Sequence, residues 1–306
     1  MSTNLQPADF RPLGRSDESV HAIVRPSRTF WQDAWSKLRR HPIGMTGLVM
    51  VVLITMISVF GPMLSSKSYS DQSLTQTYLE PSSEHIMGTD NLGRDEFIRI
   101  LYGARISLTV GFASTTISLF FGVLYGALSG YHGGRVDNIM MRFVEVVSAV
   151  PELLYLILLT QVFKPGLTTI LIVIGATGWL GMARIVRGEV LTLKEREYVL
   201  AARTMGTRPL TIMLRHLIPN AMGPILVTLT VGIPQAIFFE SFLSFIGLGV
   251  SAPMASWGVM ASESLTALRS YPHLLFYPAI AIGVTLLSFQ FLGQGLRDAL
   301  DPRIQH

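Results

Sequence analysis

Six stretches of this chain are long and apolar enough to cross a lipid bilayer, and they fix most of what it can fold into. A helix needs about 20 predominantly apolar residues to cross the ~30 Å hydrocarbon layer. Residues 43–64 and 106–129 contain no charged side chain. Residues 143–163 are interrupted by Pro151 and carry Glu145 and Glu152. A fourth run covers 167–183, a fifth passes Pro234 between about 223 and 245, and a sixth covers about 274–296. Backbone amides in lipid must find partners within the protein, which favours helices. The expected fold class is therefore an all-α integral membrane protein with about six transmembrane helices. Residues 247–261 are also poor in charge but rich in Gly, Ser and Pro, so they read as a re-entrant or surface segment. The composition agrees, with 14% charged residues against about 25% in soluble domains.

Lys and Arg are distributed unevenly. With the N-terminus inside, segments 1–42, 130–142, 184–222 and 297–306 hold 18 of the 24 Lys and Arg residues, and the outside connections hold five. The positive-inside rule then places both termini in the cytoplasm. The first run follows 42 residues and exceeds a signal-peptide h-region, so it reads as a retained anchor. The first 30 residues are polar and are expected to be poorly ordered. The expected layout is a cytoplasmic segment 1–42, a first span 43–64, an extracytoplasmic loop 65–103 and a core domain 104–306 with a cytoplasmic loop 184–222.

Several chemistries lack their residues. The four lysines are Lys37, Lys67, Lys164 and Lys194, and none follows a glycine. A P-loop, which needs Gly-Lys-Ser/Thr, is therefore not encoded. There is no cysteine, the seven histidines show no metal-site spacing, and no Gly-x-Ser-x-Gly elbow occurs. No cofactor is expected in this chain, nor any partnership with nucleic acid. A membrane enzyme or an ion-driven transporter would have to rely on Glu145, Glu152 or a histidine without a recognisable motif or an internal repeat.

The loop 184–222 is the most informative connection. Leu191, Leu193, Val199, Leu200, Ala201 and Ala202 alternate with Lys194, Glu195, Arg196, Glu197 and Arg203, the pattern of an amphipathic helix outside the bilayer. Gly206 suits its C-terminal stop. Pro209 suits the start of a second short helix, and Pro219 is expected to end that helix. By pattern alone, this knob either docks on a soluble partner or lies on the membrane surface.

Ala201-Ala202, then Gly206, then Ile218-Pro219 resembles the EAA loop of ABC-importer membrane subunits. Leu200 stands where those proteins usually carry Glu, His216 where Ile is usual, and Ile218 where Leu is usual. GTDNLGRDEFIRILYGARISLTVG at 88–111, SWGVM at 256–260 and GLRDALDP at 295–302 resemble the C-type membrane subunit of bacterial oligopeptide and dipeptide permeases, the oligopeptide branch most; nickel, dipeptide and glutathione permeases share much of this pattern, which leaves them as the alternative. The resemblance implies a type I ABC-importer permease fold in the bacterial inner membrane. It also implies a second similar permease subunit, two cytoplasmic ATPases that bind ATP and Mg, and an extracytoplasmic peptide-binding protein. The docking reading of the loop follows, with Glu197, Ala201, Ala202, Arg203, Gly206, Arg215 and Pro219 as its coupling residues.

For the pathway, ionisable residues within spans are costly and normally face protein or water. Glu145 and Glu152 are seven residues apart and lie on nearly the same helical face. Either they line the cavity, where they meet a peptide's amino terminus, or Glu145 pairs with Arg142 near the cytoplasmic boundary and only fixes helix packing; Glu152 follows the kink-prone Pro151. Glu240, among Phe238, Phe239, Phe242 and Phe245, is either an outer gate residue or a packing carboxylate; Phe239 and Phe242 share that candidacy. Residues 88–99 either receive the binding protein or form a self-packed turn held by Asp90, Arg94 and Asp95.

Overall fold

A computed structural model of the chain describes residues 29–300 except Leu64, Ser66 and Pro165. Disorder was expected over the first 30 residues; 1–28 lie outside the described residues, whereas Thr29 and Phe30 form the start of a helix. Helix α1 (Phe30–Arg40) opens with a capping box, in which Thr29 and Gln32 exchange side-chain and backbone hydrogen bonds. His41 then caps α2 (Pro42–Phe60), its Nδ1 accepting from the Gly44 amide at 3.0 Å. The sequence pattern did not reveal α1, because its eleven residues are too few and too polar to read as a span.

Next come α3 (Glu96–His132), α4 (Gly134–Ser148), α5 (Glu152–Val162) and α6 (Leu167–Leu193). The short α7 (Glu197–Thr204) and α8 (Pro209–Ile212) follow, then a π-turn (Met213–Leu217) and α9 (Ile218–Asn220). The chain closes with α10 (Met222–Phe245), α11 (Trp257–Ser264) and α12 (His273–Leu300). Helices α2, α3, α6, α10 and α12 are long and apolar enough to cross a membrane.

The third expected span is not one helix. α4 and α5 meet at an angle of 81°. Pro151 supplies no amide proton and disfavours helical geometry at Val150, so the break falls between Ser148 and Glu152. The pair nevertheless returns the chain across the bundle. α3 and α6 run parallel, since Ser114 Oγ donates to the Leu171 carbonyl and Ser118 Oγ to the Gly175 carbonyl, while Gly130 lies against Val190. The chain leaves α3 beside the end of α6 and must climb back to its start. The climb from the level of Gly130 to that of Gly111 is about 28 Å at 1.5 Å per residue. The sixth crossing is therefore a broken one.

Small residues bring the helices together. Ser114, Ser118, Gly122, Gly126 and Gly130 recur every fourth residue along α3 and form its seam with α6, the small-xxx-small pattern of close membrane-helix packing. A methyl group on Gly126 would stand 2.4 Å from the Ala183 carbonyl oxygen. α2 and α12 cross where Gly44 meets Gly295, and α10 packs antiparallel against both α3 and α12.

Three segment boundaries differ from the sequence reading. The loop expected over 65–103 ends at Asp95, whose side chain caps α3 at the Ile98 amide; residues 96–103 form the first two turns of that helix. The fourth span continues ten residues beyond Ala183, so the loop begins as its extension. Pro219 does not end a helix: it opens α9, whose last residue is separated from α10 by Ala221 alone. Residues 247–256 form a non-crossing loop leading to α11, whose Trp257 and Met260 are buried.

Candidate functional site

Two neighbouring features can do work: the knob formed by α7 to α9, and a cavity between the helices. The knob is shaped by its backbone. α7 ends in a Schellman motif, with the Gly206 amide donating to the Arg203 carbonyl at 2.9 Å and the Thr207 amide to the Ala202 carbonyl at 3.1 Å. Gly206 adopts φ +76°, a left-handed conformation that glycine takes without steric cost. Arg208 and Pro209 then start α8.

The inner face of the knob belongs to the main core. Val199, Ala202, Ile212, Met213 and Leu217 are buried with Ala127 of α3, Met182, Val186 and Val190 of α6, and Ile225 of α10. The outer face carries exposed Leu200, Met205, Leu210 and Leu214, together with Arg203, Arg208 and Arg215. Arg203 also stands 4.9 Å from the centre of the Tyr131 ring. Glu197 and Ala201 are exposed on α7, and Pro219 is exposed on α9. A bidentate pair fixes the adjoining helices: Arg187 donates to Asp137 at 2.5 and 2.6 Å, and Ser129 donates to the same carboxylate at 2.6 Å.

The cavity has a volume of about 230 Å³ and lies between α3, α5, α6, α10 and α12. Ser114, Thr115 and Ser118 form one wall, with Glu152, Gln235 and Phe239 among the residues opposite. Arg297 lines it near the knob. Glu152 touches Gln235, whose amide donates at 3.4 Å.

Glu240 and Phe242 do not line this cavity. Glu240 is fully buried and accepts from Ser107 at 2.9 Å and Ser244 at 2.8 Å, so it ties α3 to α10. Phe242 is half-buried outside the cavity. Glu145 pairs with Arg142 at 3.0 Å on an exposed face of α4. Sequence reasoning missed Gln235, Arg297 and the hydroxyl wall of α3. The four-residue repeat of small side chains was the signal that could have found that wall.

At the far end, Asp90, Arg94 and Asp95 are buried. Arg94 and Arg99 both donate to Glu263 of α11, at 2.8 and 2.7 Å, and both reach Asp90. Asp95 accepts from Lys67 at 3.2 Å and meets His85 at 2.9 Å, and Tyr78 stacks on Tyr271. Asp90 and Arg94, with Arg99, thus tie a packed turn to α11, and Asp95 joins that turn to Lys67 and His85. Among the described residues, no cluster of His, Asp and Glu could hold a metal ion.

The family described as "binding-protein-dependent transport system inner membrane component" matches residues 122–306. The chain belongs to this family. The "N-terminal TM domain of oligopeptide transport permease C" matches residues 29–81 of the permease. It is 48% identical over 296 residues to the oligopeptide transport system permease protein OppC of Bacillus subtilis, with 97% of each chain covered. It is 50% identical over 290 residues to the dipeptide transport system permease protein DppC of the same organism, covering 94% of this chain and 91% of that one. Among solved structures, a chain of the MetNI methionine ABC transporter in inward-facing conformations aligns with a TM-score of 0.52 at 16% identity. That alignment covers 66% of this permease and 96% of the other chain, and it bears on fold alone. The protein is thus a multi-pass inner-membrane permease of the C type, a transport component.

Proposed function

We propose that this permease forms one half of a peptide pathway and converts the closure of partner ATPases into helix movement. The observation that carries this reading is the two-faced knob. Its inner face shares one core with α3, α6 and α10, while its outer face leaves apolar and basic side chains exposed. Such a surface suits a groove with an acidic rim on a soluble partner.

In this reading both termini and the knob are cytoplasmic. Two ATPases bind ATP and Mg and dock at the knob. A second, similar permease subunit completes the pathway, and an extracytoplasmic binding protein delivers peptide. Lipid covers α2, whose Val49, Val52, Leu53, Met56 and Ile57 are exposed. Closing of the ATPases moves the knob together with α3 and α6, and the cavity changes its access. Residues 104–306 form the transport core in this scheme, and the names of the relatives favour oligopeptides or dipeptides as cargo.

Co-purification in mild detergent from the native host tests the scheme. A P-loop ATPase and a second, similar membrane subunit should accompany the tagged chain, and ATP should be required for peptide uptake in vesicles. Uptake that persists in vesicles depleted of ATP would overturn it in favour of an ion-driven transporter.

A further inference from the structure

Asp137, Glu145, Glu152 and Glu240 are acidic side chains carried by the helices α4, α5 and α10, and the structure treats them differently. Asp137 is matched by the Arg187 guanidinium. Glu145 pairs with Arg142. Glu240 is surrounded by serine hydroxyls. Glu152 has neither: among the described residues its carboxylate meets no cation, and its one hydrogen bond is the 3.4 Å contact with Gln235.

Its depth makes this unmatched charge informative. Gly232 lies against Thr115, about midway along α3, and Gln235 is one turn from Gly232. Glu152 therefore sits near the middle of the membrane-crossing length. A carboxylate at such a depth is costly and normally faces protein or water. It also lies at the α4–α5 break and lines the cavity. The one other ionisable residue among those described as lining the cavity is Arg297. Arg297 lies in the last turn of α12, about 13 Å away along the bundle, because α12 neighbours place it near residues 226–227 of α10.

We propose that Glu152, positioned by Gln235, is the midpoint anchor for a primary ammonium on the transported molecule, the amino terminus of a peptide. This inference rests on the peptide-importer reading. An ammonium ion donates up to three hydrogen bonds, which the Glu152 carboxylate and the Gln235 carbonyl can share. The contact supplies the charge that Glu152 lacks at the moment cargo occupies the cavity. An uncharged or N-blocked cargo forfeits it. Glu152 also opens α5, where a carboxylate favours the helix dipole, so the test separates transport from stability.

The test uses the absence of cysteine in this chain. The complete importer, reconstituted with its partner subunits, is compared as wild type, Glu152→Gln and Glu152→Cys, with a free-amine peptide as cargo. Melting temperature and ATPase docking are followed in parallel. Both variants are expected to fold, dock and lose at least about tenfold in uptake. Labelling the single thiol of the Glu152→Cys variant with an anionic sulfonatoethyl thiosulfonate should restore uptake several-fold, and a cationic trimethylammonium analogue should lower it further. Wild-type-like uptake by Glu152→Gln, or equal effects of the two labels, overturns the anchor and leaves the importer reading standing. Failure of the wild-type assembly to take up peptide overturns the importer reading itself, and the anchor with it.

Discussion

The turn at Gly206 offers a clean test of the knob, because no atom lies within 4 Å of where a side chain would begin. A substitution there meets no internal clash, so its cost is that of holding a side-chain-bearing residue at φ +76°. For an ordinary residue the left-handed conformation costs roughly 1–2 kcal/mol, and Asn adopts it most readily. A β-branched residue is a genuine outlier there. Gly206→Asn, Gly206→Ala and Gly206→Val should therefore rank in that order of increasing damage. If the ATPase docks at this turn as proposed, each 1.4 kcal/mol lost from the docking-competent conformation lowers its apparent affinity about tenfold. The expected losses are under about threefold for Asn, about five- to thirtyfold for Ala and larger still for Val. The assay is equilibrium binding of the purified ATPase partner to nanodisc-embedded permease, alongside uptake in proteoliposomes. If Asn proves as damaging as Val, backbone conformation is not what Gly206 supplies, and its lack of a side chain must serve a direct contact with the partner.

Three further outcomes follow from the packing. Gly126→Val should cost about 1–3 kcal/mol or more by overpacking the α3–α6 seam, read as a lower melting temperature in detergent; Gly188→Ala, with open space around it, should be neutral or stabilising. Asp137→Asn should cost about 1–3 kcal/mol by weakening its charge-assisted bonds to Arg187 and Ser129, and a double-mutant cycle with Arg187→Met should reveal the coupling. Glu240→Gln should lower melting temperature more than Glu152→Gln does, because an amide nitrogen would face serine hydroxyls that now donate to a carboxylate. Equal losses in the last pair would refute the distinction drawn between the two residues.

Much of the architecture was legible in the sequence because lipid imposes length and apolarity, which five of the crossings satisfy in continuous helices. The broken crossing was harder. Pro151 announced a break, but an 81° elbow depends on how Met141 and Val144 seat α4 against Leu180, which is tertiary information. Gly206 and Pro209 fixed the knob locally, whereas Pro219 misled because a proline in a helix's first turn opens it as readily as another ends one. Hydropathy could not sort the carboxylates. Glu152 and Glu240 both interrupt apolar runs, and their difference lies in Ser107, which is 133 residues distant from Glu240.

The small-residue seam also has a mechanical consequence. With glycine and serine at every fourth position, α3 and α6 interlock too closely to slide past each other and so behave as one stiff beam. α6 has 27 residues and spans roughly 40 Å, with the knob fastened to one end. A rotation of that beam by about 10° sweeps its free end through roughly 7 Å, a simple lever estimate at this helix rise. In the proposed coupling scheme, stiffness at the seam would set the gearing of the molecule, turning a modest rocking at one face of the membrane into a displacement the width of a side chain at the other.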